Sequence, residues 1–287
     1  MPSSSGRFTL VFNGEVFNHL LLRKALESVG CTFRGHSDTE VILAAFENWG
    51  VEQAVRRMIG MFAMAVWDAA REELLLIRDR LGIKPMFVYH HNGVISFGSE
   101  LKALLQHPLV TRELDPQAID LYLALHMIPA PFTIFKVVRK LPAGSLLECD
   151  ANGVSIRSWW KYSDFVANER IDERSAVEEI RALLFASVKR RLISEVPLGA
   201  FLSGGVDSSA VVAMMAGLSQ TPVETCSIGF RDPAFNESEF ARRVAERYHT
   251  HHYAEVVESD DFDLLDTLAG GYDEPYAGSS AIPTYRV

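Results

Sequence analysis

The nine residues FLSGGVDSS, from Phe201 to Ser209, set two glycines, three serines and an aspartate between an apolar strand pattern at 198–202 and an apolar helix pattern at 210–217. At the carboxyl end of a parallel strand, the following helix turns its N-terminus into a crevice. Its unpaired N–H groups and its dipole receive an anion there. Gly204 and Gly205 let the backbone approach an oxygen with no Cβ in the way, and Ser203, Ser208 and Ser209 add hydroxyl donors. Asp207 is the odd member, because a carboxylate facing phosphates repels them. It makes sense as a ligand for Mg²⁺ that bridges phosphate oxygens. No Lys-Ser/Thr pair ends the loop, so it is not a P-loop of the kinase or GTPase kind. The bland alternative is a capped glycine turn with Asp207 in water.

The flanking elements give the loop its context. Asp172 is placed to cap a long helix carrying Val177, Ile180, Leu184, Val188 and Leu192. Strand at 198–202, helix at 210–217, strand at 223–230 and helix at 237–248 then alternate, which argues a parallel sheet with helices on its faces. The front of the chain has another texture. An apolar run at 8–12 ends in the turn dipeptide Asn13-Gly14, and two helical patterns close at Gly30 and Gly50. Strands follow at 61–67, 73–78 and 86–89, with a hairpin return at 94–97. Ser99 can cap a short helix, and Asp115-Pro116 starts a longer one that IPAPF (128–132) breaks. Two more strands are expected at 140–149 and 154–159, and the polar stretch at 164–172 reads as a domain boundary.

A chain of 287 residues suggests about two domains. The net charge of −9 gives no electrostatic invitation to nucleic acid, and Lys189-Arg190-Arg191 reads as a solvated helix end. Cys31, Cys149 and Cys226 show no metal-ligand spacing, which fits a reduced, cytoplasmic protein. No apolar run reaches the roughly 18 residues of a membrane span.

The loop resembles the PP-loop of ATP pyrophosphatases, which form adenylates by splitting ATP between its α and β phosphates. PLGAFLSGGVDSSAVVAMMA is similar to one branch, the glutamine-dependent asparagine synthetases, as are CSIGF with DPAFNESEFARRVAERYHTHH, and DEPYAGSSAIPTY from Asp273. The front half resembles the glutaminase domain of that family through NGEVFNH (13–19), HSDTEVI (36–42), RDRLGIKP (78–85) and FGSELKALL (97–105). The resemblance implies an Ntn-hydrolase-like α+β domain of αββα layers at 1–163. A Rossmann-like α/β synthetase domain at 172–287 follows it, and both are incomplete. It implies ATP binding by Leu202, Ser203, Gly204, Gly205, Asp207, Ser208, Ser209 and Ile228, with Mg²⁺ on Asp207. Hydrolysis of a glutamine amide passes through an oxyanion that needs two fixed donors, and Asn13 with the Gly14 N–H has that form. By resemblance Asp38 and the backbone near Glu15 hold the glutamine ammonium group. On their own residues, Asn13-Gly14 is equally a hairpin turn and Asp38 a helix cap.

The family's nucleophile is a cysteine that becomes the first residue. Here Pro2 follows Met1, and Cys31 reads as a packing residue. Ser3 to Ser5 stand too near Asn13 to replace the nucleophile. The expectation is therefore a chain truncated at both ends that binds ATP without being a competent glutaminase. Gly278 stands where the family usually has an acidic residue. The implied parent reaction hydrolyses glutamine, tunnels ammonia, forms β-aspartyl-AMP and amidates it to asparagine. Its partners are the small molecules glutamine, aspartate and ATP, with no nucleic acid, no membrane and room for a homodimer. Two alternatives stay open: an amidotransferase acting on another carboxylate, such as an exopolysaccharide precursor, and a non-catalytic nucleotide-binding fragment.

Overall fold

The segments GMFAMAVWD and ELLLIR are apolar on both sides, so a strand made from either must be covered on both faces. The computed structural model describes residues 1–165, 171–194, 196–232, 234, 236–257, 264–278 and 280–286. The chain forms two units, Met1–Ala167 with Asp273–Pro275, and Asn168–Tyr272 with Tyr276–Val287. The first runs β1 (Phe8–Val16), α1 (His19–Glu27), α2 (Asp38–Trp49), α3 (Val51–Arg57), β2 (Gly60–Asp68), β3 (Glu73–Arg78), β4 (Phe87–His91), β5 (Val94–Gly98), α4 (Leu101–Leu104), α5 (Pro116–Leu125), β6 (Val138–Lys140), β7 (Ser145–Asp150) and β8 (Gly153–Ser158).

Both faces of β2 and β3 are indeed covered. They lie inside an antiparallel sheet of order β1-β2-β3-β7-β8. Phe62, Met64 and Ile77 point into a core shared with Leu26, Ile42 and Phe46 of the helices α1 and α2. The alternate residues Ala63, Ala65 and Leu76 meet Met86 and Val88 of the second sheet, of order β5-β4-β6. The far face of that sheet, Phe87 and Tyr89, packs on Leu101 and Leu104 of α4 and Ala118 of α5. The layers are therefore helix, sheet, sheet, helix.

The second unit runs α6 (Glu173–Arg191), β9 (Gly199–Phe201), α7 (Val206–Leu218), β10 (Glu224–Phe230), α8 (Ser238–Tyr248), β11 (His251–Val257), α9 (Leu265–Gly271) and α10 (Ala281–Arg286). Its sheet is parallel in the order β11-β10-β9. Leu202 and Val212 pack on Ala241 and Ala245 of α8. Asp172 caps α6, accepting from the Ser175 N–H at 3.0 Å. The apolar stripe of α6 is used only toward its end, where Val188 is buried while Val177 and Ile180 are exposed.

Several expected elements differ. Asn13-Gly14 is not a turn, because β1 runs through it to Val16. The strand expected at 140–149 is two, β6 in one sheet and β7 in the other. Helix α7 starts at Val206, so Asp207, Ser208 and Ser209 sit on its first turn rather than in a loop. The elements α3 and β11 were not anticipated. Of the polar boundary at 164–172, residues 166–170 lie outside the described residues, as do Pro233 and Phe235 of the matching segment after CSIGF, and Ser279.

Asp79 ties the first unit together from inside. It is 1% exposed. Its carboxylate accepts from the N–H groups of Phe62, Leu81, Ile83 and Lys84 at 3.0–3.1 Å. Arg78 beside it donates to the carbonyls of Gly82, Lys84 and Leu141. Burial lowers the Arg78 pKa, and the Asp79 charge opposes that shift. The motif RDRLGIKP is thus a clamp on its own loop. Asp79→Ala strands four amides, and we expect it to cost roughly 3–5 kcal/mol, read as a lower urea midpoint at unchanged slope. At the N-terminal turn, burial of Glu47 would raise its carboxyl, but bonds from Ser3, Ser5 and Ser4 outweigh that and hold it at about 2. A depressed carboxyl stabilises the fold above its ordinary 4.5, and the contribution fades as pH falls toward 2. Glu47→Gln should flatten the pH dependence of melting in that window and lower the melting temperature most at pH 7, where the contribution is fully present, with wild type and variant converging as pH falls toward 2.

Candidate functional site

The geometry on β1 follows from strand parity. Gly14 lies opposite Phe62 of β2. Phe62 gives its N–H to Asp79 Oδ2 and takes the Asp79 N–H on its carbonyl at 2.8 Å. Its backbone groups face away from β1, so Gly14 and Phe62 form a non-hydrogen-bonded pair. The Gly14 N–H then points off the outer edge of β1. Other even-numbered amides confirm the direction. Phe8 donates to Ser3 Oγ, Leu10 to the Met1 carbonyl and Val16 to Asp38 Oδ2 at 3.0 Å. A Cβ on Gly14 would lie 2.1 Å from the Met61 carbonyl oxygen at φ 152°, so this position accepts glycine alone.

The exposed Asn13 side chain donates through Nδ2 to Ser99 Oγ at 2.9 Å. Asp38 opens α2, but the cap is Ser37, whose side chain accepts from the Glu40 N–H at 3.3 Å. The Asp38 carboxylate is thereby left to reach Val16. Gly14 and Asp38 thus meet along one strand edge with the Asn13 side chain next to them, while Glu15, an odd-numbered residue, turns its backbone groups to β2. Ser99 was missed as part of this group: it is not the cap of α4, whose first amides, Leu101 and Lys102, donate to Asp273 at 2.6 and 3.4 Å. Only the distance between the two motifs in sequence hid the pairing. Cys31 is half-buried against the helical core and accepts from Asn48 Nδ2 at 3.1 Å. Ser4 and Ser5 bond Glu47.

In the second unit, β9 delivers Leu202, fully buried, with its N–H on the Cys226 carbonyl at 2.8 Å. Ser203 then turns the chain. Its Oγ takes the Gly205 N–H at 3.2 Å and lies 3.0 Å from Ser208 Oγ, which also donates to the Gly205 carbonyl. Gly204 has φ 83°, and a Cβ there would lie 2.5 Å from the Ala241 nitrogen. Gly205 has an ordinary extended backbone, and its Cβ would meet only Ser203 Oγ at 3.3 Å. Ser209 Oγ is buried with no partner among the described residues. Asp207 is exposed on the first turn of α7. Ile228, Leu202 and Ser203 line one cavity of about 300 Å³ with Phe201, Cys226, Ser227 and Thr284. Behind it His252 is held by Thr225 Oγ1 at 3.0 Å and Ser227 Oγ at 3.2 Å, and burial lowers its pKa.

Among the described residues no three His, Cys, Asp or Glu side chains gather to hold a metal. One exposed carboxylate on the first turn of α7 suits a cation that brings its own phosphate and water ligands, as Mg²⁺ does. At Gly278 a Cβ would lie 2.4 Å from the Tyr276 ring, so an acidic side chain there requires that ring to swing aside.

Two family models match the chain. Residues 1–160 match the family described as glutamine amidotransferase domain, and residues 179–287 match asparagine synthase. The glutamine-hydrolysing asparagine synthetase 1 of Bacillus subtilis is 32% identical over 98% of this chain and 44% of its own length. Asparagine synthetase 3 of the same organism is 34% identical over 91% of this chain and 44% of its own. The chain thus spans less than half the length of these relatives.

The two loop glycines are not equivalent. Gly204→Ala should destabilise the second unit by roughly 2–3 kcal/mol, and Gly205→Ala by less than about 1. Chemical denaturation of the two variants checks the order.

Proposed function

Because the chain belongs to the glutamine amidotransferase domain family over residues 1–160 and matches asparagine synthase behind it, we propose that it forms the glutaminase and nucleotide-binding parts of a glutamine-hydrolysing asparagine synthetase. Residues 1–163 serve as the glutaminase domain and 172–287 as the start of the synthetase domain. The carrying observation is the outer edge of β1, where the Gly14 N–H and the Asn13 side-chain amide stand side by side with Asp38 one strand step further on.

The chemistry follows from that row. An amide carbonyl under nucleophilic attack gathers charge on its oxygen. One N–H of Asn13 Nδ2 is spent on Ser99, and the second joins the Gly14 N–H in receiving that charge. The Asp38 carboxylate, with the backbone near Glu15, pairs with the ammonium group of glutamine. None of the three cysteines stands on this edge. Cys31 is packed on the core, Cys149 lies in β7, and Cys226 lines the cavity of the second unit. The ammonia released is the amidating reagent, since NH₃ rather than NH₄⁺ is nucleophilic.

In the second unit, ATP lies across the strand ends. Ile228 and Leu202 bound its nucleoside, and the phosphates meet the Ser203–Ser209 turn. Asp207 would hold Mg²⁺, which neutralises phosphate charge when bound. Ser203, Ser208 and the unpartnered Ser209 hydroxyl donate to phosphate oxygens, orienting the α-phosphate toward the aspartate carboxylate. The adenylated carboxylate then accepts ammonia and gives asparagine.

Two substitutions in the intact protein test the two halves separately. Asn13→Ala should lower kcat for glutamate release about 10²–10³-fold with little change in KM. Asp207→Ala should abolish aspartate-driven ATP–pyrophosphate exchange while glutaminase activity persists. Full exchange in Asp207→Ala would remove the metal from this residue.

A further inference from the structure

We propose that Ser99 is a positioning residue for glutamine hydrolysis, holding the Asn13 amide in the one orientation that turns its second N–H toward the substrate oxygen. The inference rests on the reading of Asn13 as an oxyanion donor and adds the group that fixes it. Asn13 is exposed at a strand edge, and an exposed amide turns freely about its terminal torsion. Its contact with the protein through this amide is the 2.9 Å bond from Nδ2 to Ser99 Oγ. That bond consumes one N–H and, because the amide is planar, fixes the direction of the other.

Ser99 is fit to act as an anchor because its own place is fixed. It joins the end of β5 to α4, and Leu101 and Leu104 of α4 are buried in the core beneath Tyr89. The α4 amides that a serine cap would normally serve are already taken by the Asp273 carboxylate, so the Ser99 hydroxyl is left for Asn13. Donors that are fixed before reaction stabilise developing charge without reorganising, and a donor that must first be oriented does not. A loosened Asn13 should therefore slow the chemical step and leave glutamine binding, which runs through Asp38, as it was.

The test is steady-state glutamine hydrolysis by the intact protein. Ser99→Ala should lower kcat about 10-fold to 100-fold with KM within about twofold, and Ser99→Thr, which keeps the hydroxyl, should recover most of the loss. Adding Ser99→Ala to Asn13→Ala should cost nothing more, because the two act as one unit. Ammonia-dependent synthesis reports the fold and should be unchanged. Full kcat in Ser99→Ala alongside a crippled Asn13→Ala overturns the role of Ser99 and leaves the oxyanion reading standing. Full kcat in both variants overturns the oxyanion reading itself. A fall that Ser99→Thr does not recover, or that ammonia-dependent synthesis shares, makes Ser99 merely structural and also defeats the proposal.

Discussion

Phe62 exchanges two hydrogen bonds with Asp79, and the arrangement of β1 depends on that exchange. A residue in the middle of a sheet has one N–H and one carbonyl, and both leave on the same side of the strand. With both of Phe62's directed at Asp79, its partner Gly14 must direct its own groups outward. Had the register slipped by one residue, Asn13 would face the edge with its backbone and Gly14 would be locked in the ladder. Two glycines prevent the slip. Gly14 would place a Cβ 2.1 Å from the Met61 carbonyl, and Gly60 one 2.2 Å from the Glu15 carbonyl, so each strand is fitted to the other where only hydrogen is tolerated.

The motif RDRLGIKP therefore bears on the edge of β1 without touching it. Asp79 serves Phe62 and three amides of its own loop, and Arg78 closes the same loop through carbonyls. Trp159 adds its indole N–H to the Arg78 carbonyl at 3.1 Å and stacks on Phe62 at 6.3 Å between ring centres. A charged pair of residues with polar neighbours invites a catalytic reading from sequence. Their burial and their partners give them the work of holding β2 against β3 and the loop.

Much of this was legible in the chain. The SGGVDSS segment announces a tight turn between strand and helix, and the turn is there, with Gly204 at φ 83° and Ser203 and Ser208 bonded within it. Asp115 and Asp172 announce their helices, since a cap needs only local sequence, and each accepts the expected amide. The path of β1 was not legible. Asn-Gly is a turn signal by propensity, and here the pairing with β2 overrides it because a nine-residue ladder outweighs a dipeptide preference. The Asn13–Ser99 bond spans 86 residues of sequence and leaves no local mark. The early start of α7 was hidden for another reason. Asp and Ser are poor inside helices but good on a first turn, where a carboxylate faces the dipole favourably.

That last point bears on how the second unit meets an anion. The Asp207 charge already answers the positive end of α7, an effect of about 0.3–1 kcal/mol. A triphosphate arriving alone would compete with Asp207 for the same dipole and would be repelled by it at close range. Ser209 Oγ, meanwhile, stands buried without a partner, a donor that costs stability until something accepts from it. The two facts agree under one condition, that the anion comes with a divalent cation. A bound divalent cation would find a ligand in Asp207, which would then no longer compete with the phosphates, and the unpaired Ser209 hydroxyl would be free to donate to an acceptor the complex supplies. On the proposed reading, the loop is therefore built for the metal–nucleotide complex rather than for the free nucleotide.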